Sequence, residues 1–310
     1  MMESFDFGAP SARDGGFPPG RAAGLARLEA FAPRAGRAYR DARNTDPGPG
    51  RPTGVSRLSP YVRGRLVLEE EALAAALARH APSACEKFVQ EVFWRGYFKG
   101  WLEHRPEVWD DYVEERDAAR AAAAEDARLG ARLAAAQEGR TGVACFDAWI
   151  AELIETGWLH NHARMWTASI WIFTLELPWA LGADLFMRHL VDADPASNTL
   201  SWRWVGGLHT RGKTYLARAS NIAKHTNGRF RPGPGELAPD APPLEGPPNP
   251  SAEPIPPADP APAGRVFLLA TEDEGRIEHL VAESGAAAEA VGVGALISAG
   301  RRSPEPLGAP

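Results

Sequence analysis

Three stretches of this chain carry side chains whose types and spacing could do chemistry. In GWLHNHARMWTAS, residues 157 to 169, His160, Asn161, His162 and Arg164 lie among tryptophans and apolar residues. Two imidazoles could suggest zinc, but two positions apart on a helix they point about 200° from each other. That is unlike the four-residue spacing that lets two histidines share one ion, so no metal site is expected. A catalytic cluster, or one edge of a pocket for something large and anionic, remains open. In LVDADPASNTLSWRW, residues 190 to 204, Asp192 and Asp194 alternate with alanine, followed by Asn198, Trp202 and Trp204. One carboxylate pair makes a poor cage for magnesium or calcium. It could instead accept hydrogen bonds from hydroxyls or a ring N–H while an arginine neutralises one carboxylate. In GVSRLSPY, residues 54 to 61, hydroxyls and amides lead into a helix start, with Ser59 as N-cap and Pro60 at the first helical position. Such an end suits phosphate, but taken alone the signal is weak, because Ser-x-x-Ser-Pro is also an ordinary helix cap.

The elements that must hold these residues read as helices. Residues 1–24, rich in Gly, Pro and Ala, are expected to be a flexible tail. A helix pattern begins at Leu25, carries Leu28, Phe31 and Tyr39, and stops at the loop RNTDPGPGRPTG. Residues 69–104 form one or two helices, with Phe88, Val92 and Phe93 on one side and Glu91 one turn from Arg95. Residues 117–137 have high helix propensity. One helix runs through Trp149, Leu153 and Ile154 to Gly157, another from Asn161 to Leu177, and a third from Ala183 to Val191. Strict alternation never exceeds a few residues before 232, so the fold class is mainly α. Residues 232–263 read as a proline-rich linker with nothing to bury. Beyond it, RVFLLAT reads as a buried strand, RIEHLVAES as a short helix and VGALISA as a second strand. This 264–310 βαβ fragment is too small to stand alone; it docks on the body or belongs to a longer chain.

With 310 residues and 44% hydrophobic content the chain can bury a core. Its net charge of -6 means that nucleic acid would have to be bound by a local basic face. The stretch from Arg203 to Arg231 offers one: Arg211, Lys213, Arg218, Lys224 and Arg229 with no acid, interleaved with His209, Tyr215 and Phe230. A solvated charged loop is the alternative. Cys85 and Cys145 form no disulfide or zinc pattern and fit a reducing compartment. The start has no secretory signal, and the most apolar run, WTASIWIFTLELPWALG, contains Glu176 and Pro178 and is short for a membrane span. A cytoplasmic, monomeric protein with no membrane partner is expected.

Taken in order, YRDARN and GVSRLSPY, EVFWRGYF, RTGVACFDAWIAELIETGWLHNHARMWTAS, and LPWALGADLFMRHLVDADPASNTLSWRW resemble the FAD-binding helical domain of the photolyase and cryptochrome family. The resemblance covers about Leu25 to Phe230. It implies a multi-helical domain over residues 25–231 that folds FAD into a U. Tyr39 and the loop Ser56, Arg57, Leu58 and Ser59 would hold its diphosphate and ribityl part. Arg164 would pair with Asp192 near the isoalloxazine, Asp192 and Asp194 would lie along flavin and ribose, and Asn198 would face flavin N5. Glu91 and Trp94 match positions that contact a pyrimidine dimer turned out of DNA, and Asn161, His162 and Met165 match its rim. Trp202 and Trp179 match the first two members of a tryptophan chain that reduces the flavin under light. The HNHARM cluster is then the wall where the flavin pocket meets the lesion pocket.

Departures are visible too. The family's N-terminal α/β antenna domain has no counterpart. Gly96 stands where a glutamate is common and His162 where an arginine is usual, and no third tryptophan of the chain is matched. A short, antenna-less branch of the family is therefore implied. The resemblance leaves two functions: an FAD-dependent lyase that uses light to reverse cyclobutane pyrimidine dimers in UV-damaged DNA, with a preference for single strands, or a photosensory or redox flavoprotein that has lost repair.

Overall fold

The computed structural model describes residues 16–260, 263–271, 275 and 288–296. The body is helical, as the absence of period-two alternation requires. It comprises α1 (Arg21–Phe31), α2 (Arg37–Ala42), α3 (Ser59–Arg63), α4 (Glu69–Leu77), α5 (Pro82–Glu103), α6 (Glu107–Glu125), α7 (Ala127–Gln137), α8 (Ala144–Thr156), α9 (Asn161–Ser169), α10 (Trp179–His189), α11 (Pro195–Val205) and α12 (Ala219–His225). Two apolar cores form. The smaller packs Phe31, Tyr39, Tyr61 and Phe88 from α1 to α5, and the larger is built on Trp149, Trp166, Trp171 and Trp202 from α8 to α11.

Several boundaries move for local reasons. α1 starts at Arg21, and Phe17 is buried against Tyr61 (ring centroids 6.3 Å), so the expected tail already contributes to the core before residue 24. α3 is a single short turn whose first helical residue is Ser59 itself. Leu58 occupies the cap position and no side chain caps it, which corrects the assignment of Ser59 as N-cap. On α5, Glu91 and Arg95 do not pair: Glu91 is bonded to Arg43, and Arg95 to Glu69 and Asp194. Phe93 lies in solvent, unlike Phe88 and Val92. α8 ends as expected, with Gly157 in the left-handed region (φ 65) where a side chain would be strained. α9 widens into a π turn over Ile170–Thr174, closed by Leu175 N–H donating to Ile170 O at 2.8 Å.

The stretch after Asp194 is a helix. Asp194 accepts from Ser197 N–H at 2.8 Å while Pro195 takes the first helical position, a cap and proline signature that gives α11 its start. Asn198 and Trp202 therefore ride on a rigid element.

Residues 232 onward do bury something, against the expectation of a bare linker. Leu237 and Leu244 pack on the larger core. Leu244 N–H donates to Gly206 O (2.9 Å), Arg203 to Asn249 (3.1 Å) and Thr214 to Ala241 O (2.7 Å), while Glu253 N–H donates to His104 O (2.7 Å). Proline suits such a strap because its fixed φ lowers the entropy lost on ordering. Beyond it, β1 (Gly264–Thr271) pairs in parallel with β2 (Ala288–Leu296), from Gly264 opposite Ala288 to Thr271 opposite Leu296, with a shift between Val266 and Phe267. Phe267 and Leu269 are exposed, so β1 is not the buried strand expected. The expected helix RIEHLVAES lies outside the described residues. No helix among the described residues is long and apolar enough to cross a membrane.

Candidate functional site

The two cores do not meet flush. Between them lies a cavity of about 650 Å³, within the range of small-molecule and cofactor sites. The smaller core supplies Tyr39, Leu58, Val62 and Phe88 to its lining, and the larger Ala168, Phe186, Leu190 and Trp202. Ser56, Ser59, Glu91, Trp94, Asn161, Arg164, Met165, Asp192, Asp194 and Asn198 complete the assembly of expected site residues along one wall or another. Arg63 holds the two sides in register, its Nε donating to Ala193 O at 3.0 Å from α3 to the loop between the aspartates.

The floor is charged and buried. Asp192 is buried and its Oδ2 accepts from Arg164 Nη2 at 2.9 Å, while Arg164 Nε donates to Leu159 O at 3.0 Å, so the guanidinium is clamped at both ends. Asp192 Oδ1 is buried with no partner among the described residues. An unpaired buried carboxylate oxygen costs free energy unless something donates to it, and it is the atom that a ring N–H or a ribityl hydroxyl would satisfy. Asn198 Nδ2 donates to Ala183 O (2.9 Å), leaving Oδ1, an acceptor, for a ligand. Asp194 is spent differently. Oδ1 caps α11, and Oδ2 meets Arg95 Nη2 (3.2 Å) and Lys99 Nζ (3.3 Å). Burial alone would raise its pKa, but those cations and the Ser197 N–H hold it below the usual carboxylate range.

The mouth is aromatic and polar. Trp94 is more than half exposed and meets Tyr97 edge-on at 5.5 Å. Asn161 sits on the exposed rim, with Nδ2 3.8 Å from Met165 Sδ. Burial raises the phenol of Tyr39 well above its ordinary value, so it stays a donor.

Three expected residues are not in the lining. Arg57, at φ 53, turns its guanidinium over Phe17 (4.7 Å) and Trp158 (4.5 Å), outside the cavity lining. His162 stacks between His160 (6.1 Å) and His225 (5.4 Å). His160 is itself the N-cap of α9, its Nδ1 accepting from His162 N–H at 3.2 Å. Burial lowers both His160 and His162 to about 4, leaving neutral rings. Trp179 is buried outside the cavity, its Nε1 donating to Glu115 at 2.6 Å and its ring 5.7 Å from Tyr112. Arg43, Arg95, Lys99, Tyr97 and His209 were not among the residues expected at the site. A signal existed for two of them: Arg95 and Lys99 follow Glu91 at four-residue steps and so share its stripe. Of the expected basic face, Arg211, Lys213, Arg218 and Lys224 are exposed, but Arg229 is tied to Asp46.

An all-helical body that encloses a large cavity with a buried arginine–carboxylate floor, an unpaired carboxylate oxygen and a hydroxyl-bearing turn defines a helical domain suited to a dinucleotide cofactor. Residues 88–228 match the family model described as the FAD binding domain of DNA photolyase. The chain is 34% identical over 209 residues to a deoxyribodipyrimidine photo-lyase of a Synechococcus strain, covering 62% of this chain and 40% of that protein. It is 35% identical over 206 residues to the same-named protein of a Thermus thermophilus strain (66% and 47%). A class III photolyase from Agrobacterium tumefaciens superposes with a TM-score of 0.54 at 28% identity, over 68% of this chain and 43% of that one. A Synechocystis cryptochrome superposes equally well at 22% identity, a likeness of fold. These likenesses support membership of the photolyase/cryptochrome family, through the FAD-binding domain that residues 88–228 match. It spans less than half the length of these curated relatives.

Proposed function

We propose that this domain binds FAD in the cavity and acts as a light-driven lyase on cyclobutane pyrimidine dimers in DNA. The observation that carries the reading is the gradient along one cavity, from the buried Asp192–Arg164 floor to a mouth of Glu91, Trp94, Asn161 and Met165. Asp192 Oδ1 would accept a hydrogen bond from the polar edge of the isoalloxazine, with Arg164 keeping the carboxylate ionised. Asn198 Oδ1 would meet the ring's central N–H. Tyr39, Ser56, Ser59 and the backbone of Arg57 and Leu58 would hold the diphosphate and ribityl chain. Reduced flavin, when bound, supplies the light-driven one-electron reduction that splits the dimer. Trp94 would stack on the flipped bases, and the Glu91 carboxylate, paired with Arg43, would accept a hydrogen bond from a dimer N–H. Flipping exposes both faces of a base, so an aromatic wall at the mouth recovers part of the unstacking cost. Trp202, in the lining, and Trp179 would re-reduce the flavin. Asp194 would act indirectly by fixing the start of α11 and thus the position of Asn198.

The experiment is illumination of reduced protein with a UV-damaged oligonucleotide, read as recovery of thymine absorbance. Recovery that falls at least about tenfold in Glu91→Ala, with flavin content unchanged, agrees with a directly bonded polar group. No recovery by the wild-type protein contradicts the lyase. A photosensory or redox flavoprotein is the second reading. It is favoured by Gly96, whose added Cβ would meet nothing, and by His162 stacking between histidines instead of reaching the cavity. That protein would still be reduced by light but would leave the dimers intact.

A further inference from the structure

Among the described residues of the helical body, the exposed aromatic rings fall together on one stretch of α5: Phe93 (64% exposed), Trp94 (54%) and Tyr97 (47%). Trp94 and Tyr97 belong to the cavity mouth, whereas Phe93 lies outside it. Phe93, Gly96, Tyr97 and Gly100 share one stripe of the helix. A Cβ added at Gly96 or Gly100 would meet no atom within 4 Å, so the stripe is open to a flat partner. Cations follow its far end along the chain, Arg211 donating from Nη1 to Gly246 O (3.2 Å) and Pro247 O (2.8 Å). His209 packs on Tyr97, Phe98 and Trp101 at 6.3, 5.7 and 4.6 Å, and the exposed Arg211 and Lys213 follow it on the same loop.

Leaving a phenylalanine in water beside two further rings costs free energy that a partner can recover. A second copy of this chain is a poor partner, because a twofold contact would set Arg211 and Lys213 against their own equivalents. Rings alternating with open space, followed along the chain by cations and continuous with the mouth of a base-sized cavity, are what unpaired bases on a phosphate backbone require. Bases inside a duplex have both faces covered by neighbours and cannot use such a stripe.

We propose that Phe93 and Tyr97 form a stacking platform for the bases of single-stranded DNA that flank the nucleotide at the cavity, with Arg211 and Lys213 on the phosphates. The proposal rests on the dimer-repair reading and names the residues that would set the single-strand preference expected from the sequence. The test is fluorescence anisotropy of the full-length, FAD-loaded chain with a labelled oligothymidylate and with a duplex of equal length at one fixed salt concentration. Phe93→Ala should weaken the single strand by at least about fivefold and the duplex by less than about twofold, and Phe93→Trp should restore binding. The salt slope should not change, because no phosphate contact is lost. Equal losses on both DNAs, no loss on the single strand, or a Phe93→Ala-dependent change in sedimentation that reveals a covered dimer face would each overturn the platform. A thymine-dimer dinucleotide, which has no flanking base to stack on Phe93, separates the two levels. If wild-type protein does not reverse it under light, the repair reading fails and the platform with it. If it does, and Phe93→Ala binds oligothymidylate like wild type, the platform alone fails.

Discussion

Asp192 carries the most weight of any single residue. Its Oδ2 is neutralised by Arg164 and its Oδ1 is buried without a donor, so the side chain is held ready for a ligand at a cost borne by the fold. Asp192→Ala removes a charge-assisted bond of about 1.5–3 kcal/mol and leaves Arg164 unpaired. FAD affinity, measured by titration and flavin absorbance, should fall about ten- to hundredfold. Asn198→Ala should retain flavin but alter the course of its light-driven reduction, followed by absorbance under steady illumination. A third residue bears on stability. Glu152 is buried, and desolvation first, then Asp46, pushes its carboxyl up to about 7, with Arg229 and Arg57 opposing. A folded-state pKa raised above the unfolded value contributes stability that is full below about pH 4.3 and is lost as pH rises through 7. Glu152→Gln should therefore raise stability at pH 8 relative to wild type by on the order of 3 kcal/mol at most, and the advantage should vanish near pH 4. His160 and His162 act with the opposite sign, losing stability as pH falls from about 6.5 to 4, so the two effects offset each other in wild type and denaturation curves of Glu152→Gln across that window show the histidine loss alone. At this scale the sequence is partly legible. Residue types name the carboxylates, the arginine and the tryptophans, but where a side chain points is set by tertiary contacts. Arg57 finds two aromatic rings on its far side, and His160 turns out to cap a helix.

Elements turn those residues into a site. Gly182 on α10 lets α11 approach so closely that a Cβ there would lie 2.3 and 2.6 Å from atoms of the Trp202 ring. Gly182→Ala gains up to about 1 kcal/mol of helix propensity. It must also displace a tryptophan that is 2% exposed and packed against Trp171 and Phe186, which costs about 1–3 kcal/mol or more. The steric term wins, so the urea midpoint should fall and flavin retention with it. The proline-rich strap gives a second test. Leu244→Ala should cost about 1 kcal/mol, less than a fully buried leucine because Leu244 is only partly covered, and should speed hydrogen exchange at Tyr215 and Leu208. Helices with a strong apolar period are readable from the chain. α11 is harder to read, although Asp194–Pro195 is a start signal, because paired carboxylates before a proline look equally like ligands. The strap escapes a reading by composition because proline content reports what cannot be helical and is silent on what can dock.

At the scale of the whole molecule, two cores that fail to close on each other leave room for a large ligand. A mainly helical fold follows from the absence of alternation, and five ordered segments place the domain. No periodicity could reveal that Leu58 and Asp192, 134 positions apart, border one cavity. With a net charge of -6, any nucleic acid would have to be held by a local basic face. Four exposed cations at Arg211, Lys213, Arg218 and Lys224 limit the slope of log affinity against log salt for a single strand to about -3. A steeper slope in a salt series would mean phosphate contacts elsewhere on the surface.

The most direct measurement is the flavin content of the purified or FAD-reconstituted chain, by absorbance and by titration of wild type against Asp192→Ala. One flavin per chain, lost or greatly weakened in the variant, is the expected result. A colourless protein that takes up no FAD, or a variant that binds it as tightly as wild type, would contradict a cofactor seated between the SRLS turn and the carboxylates of α11's approach.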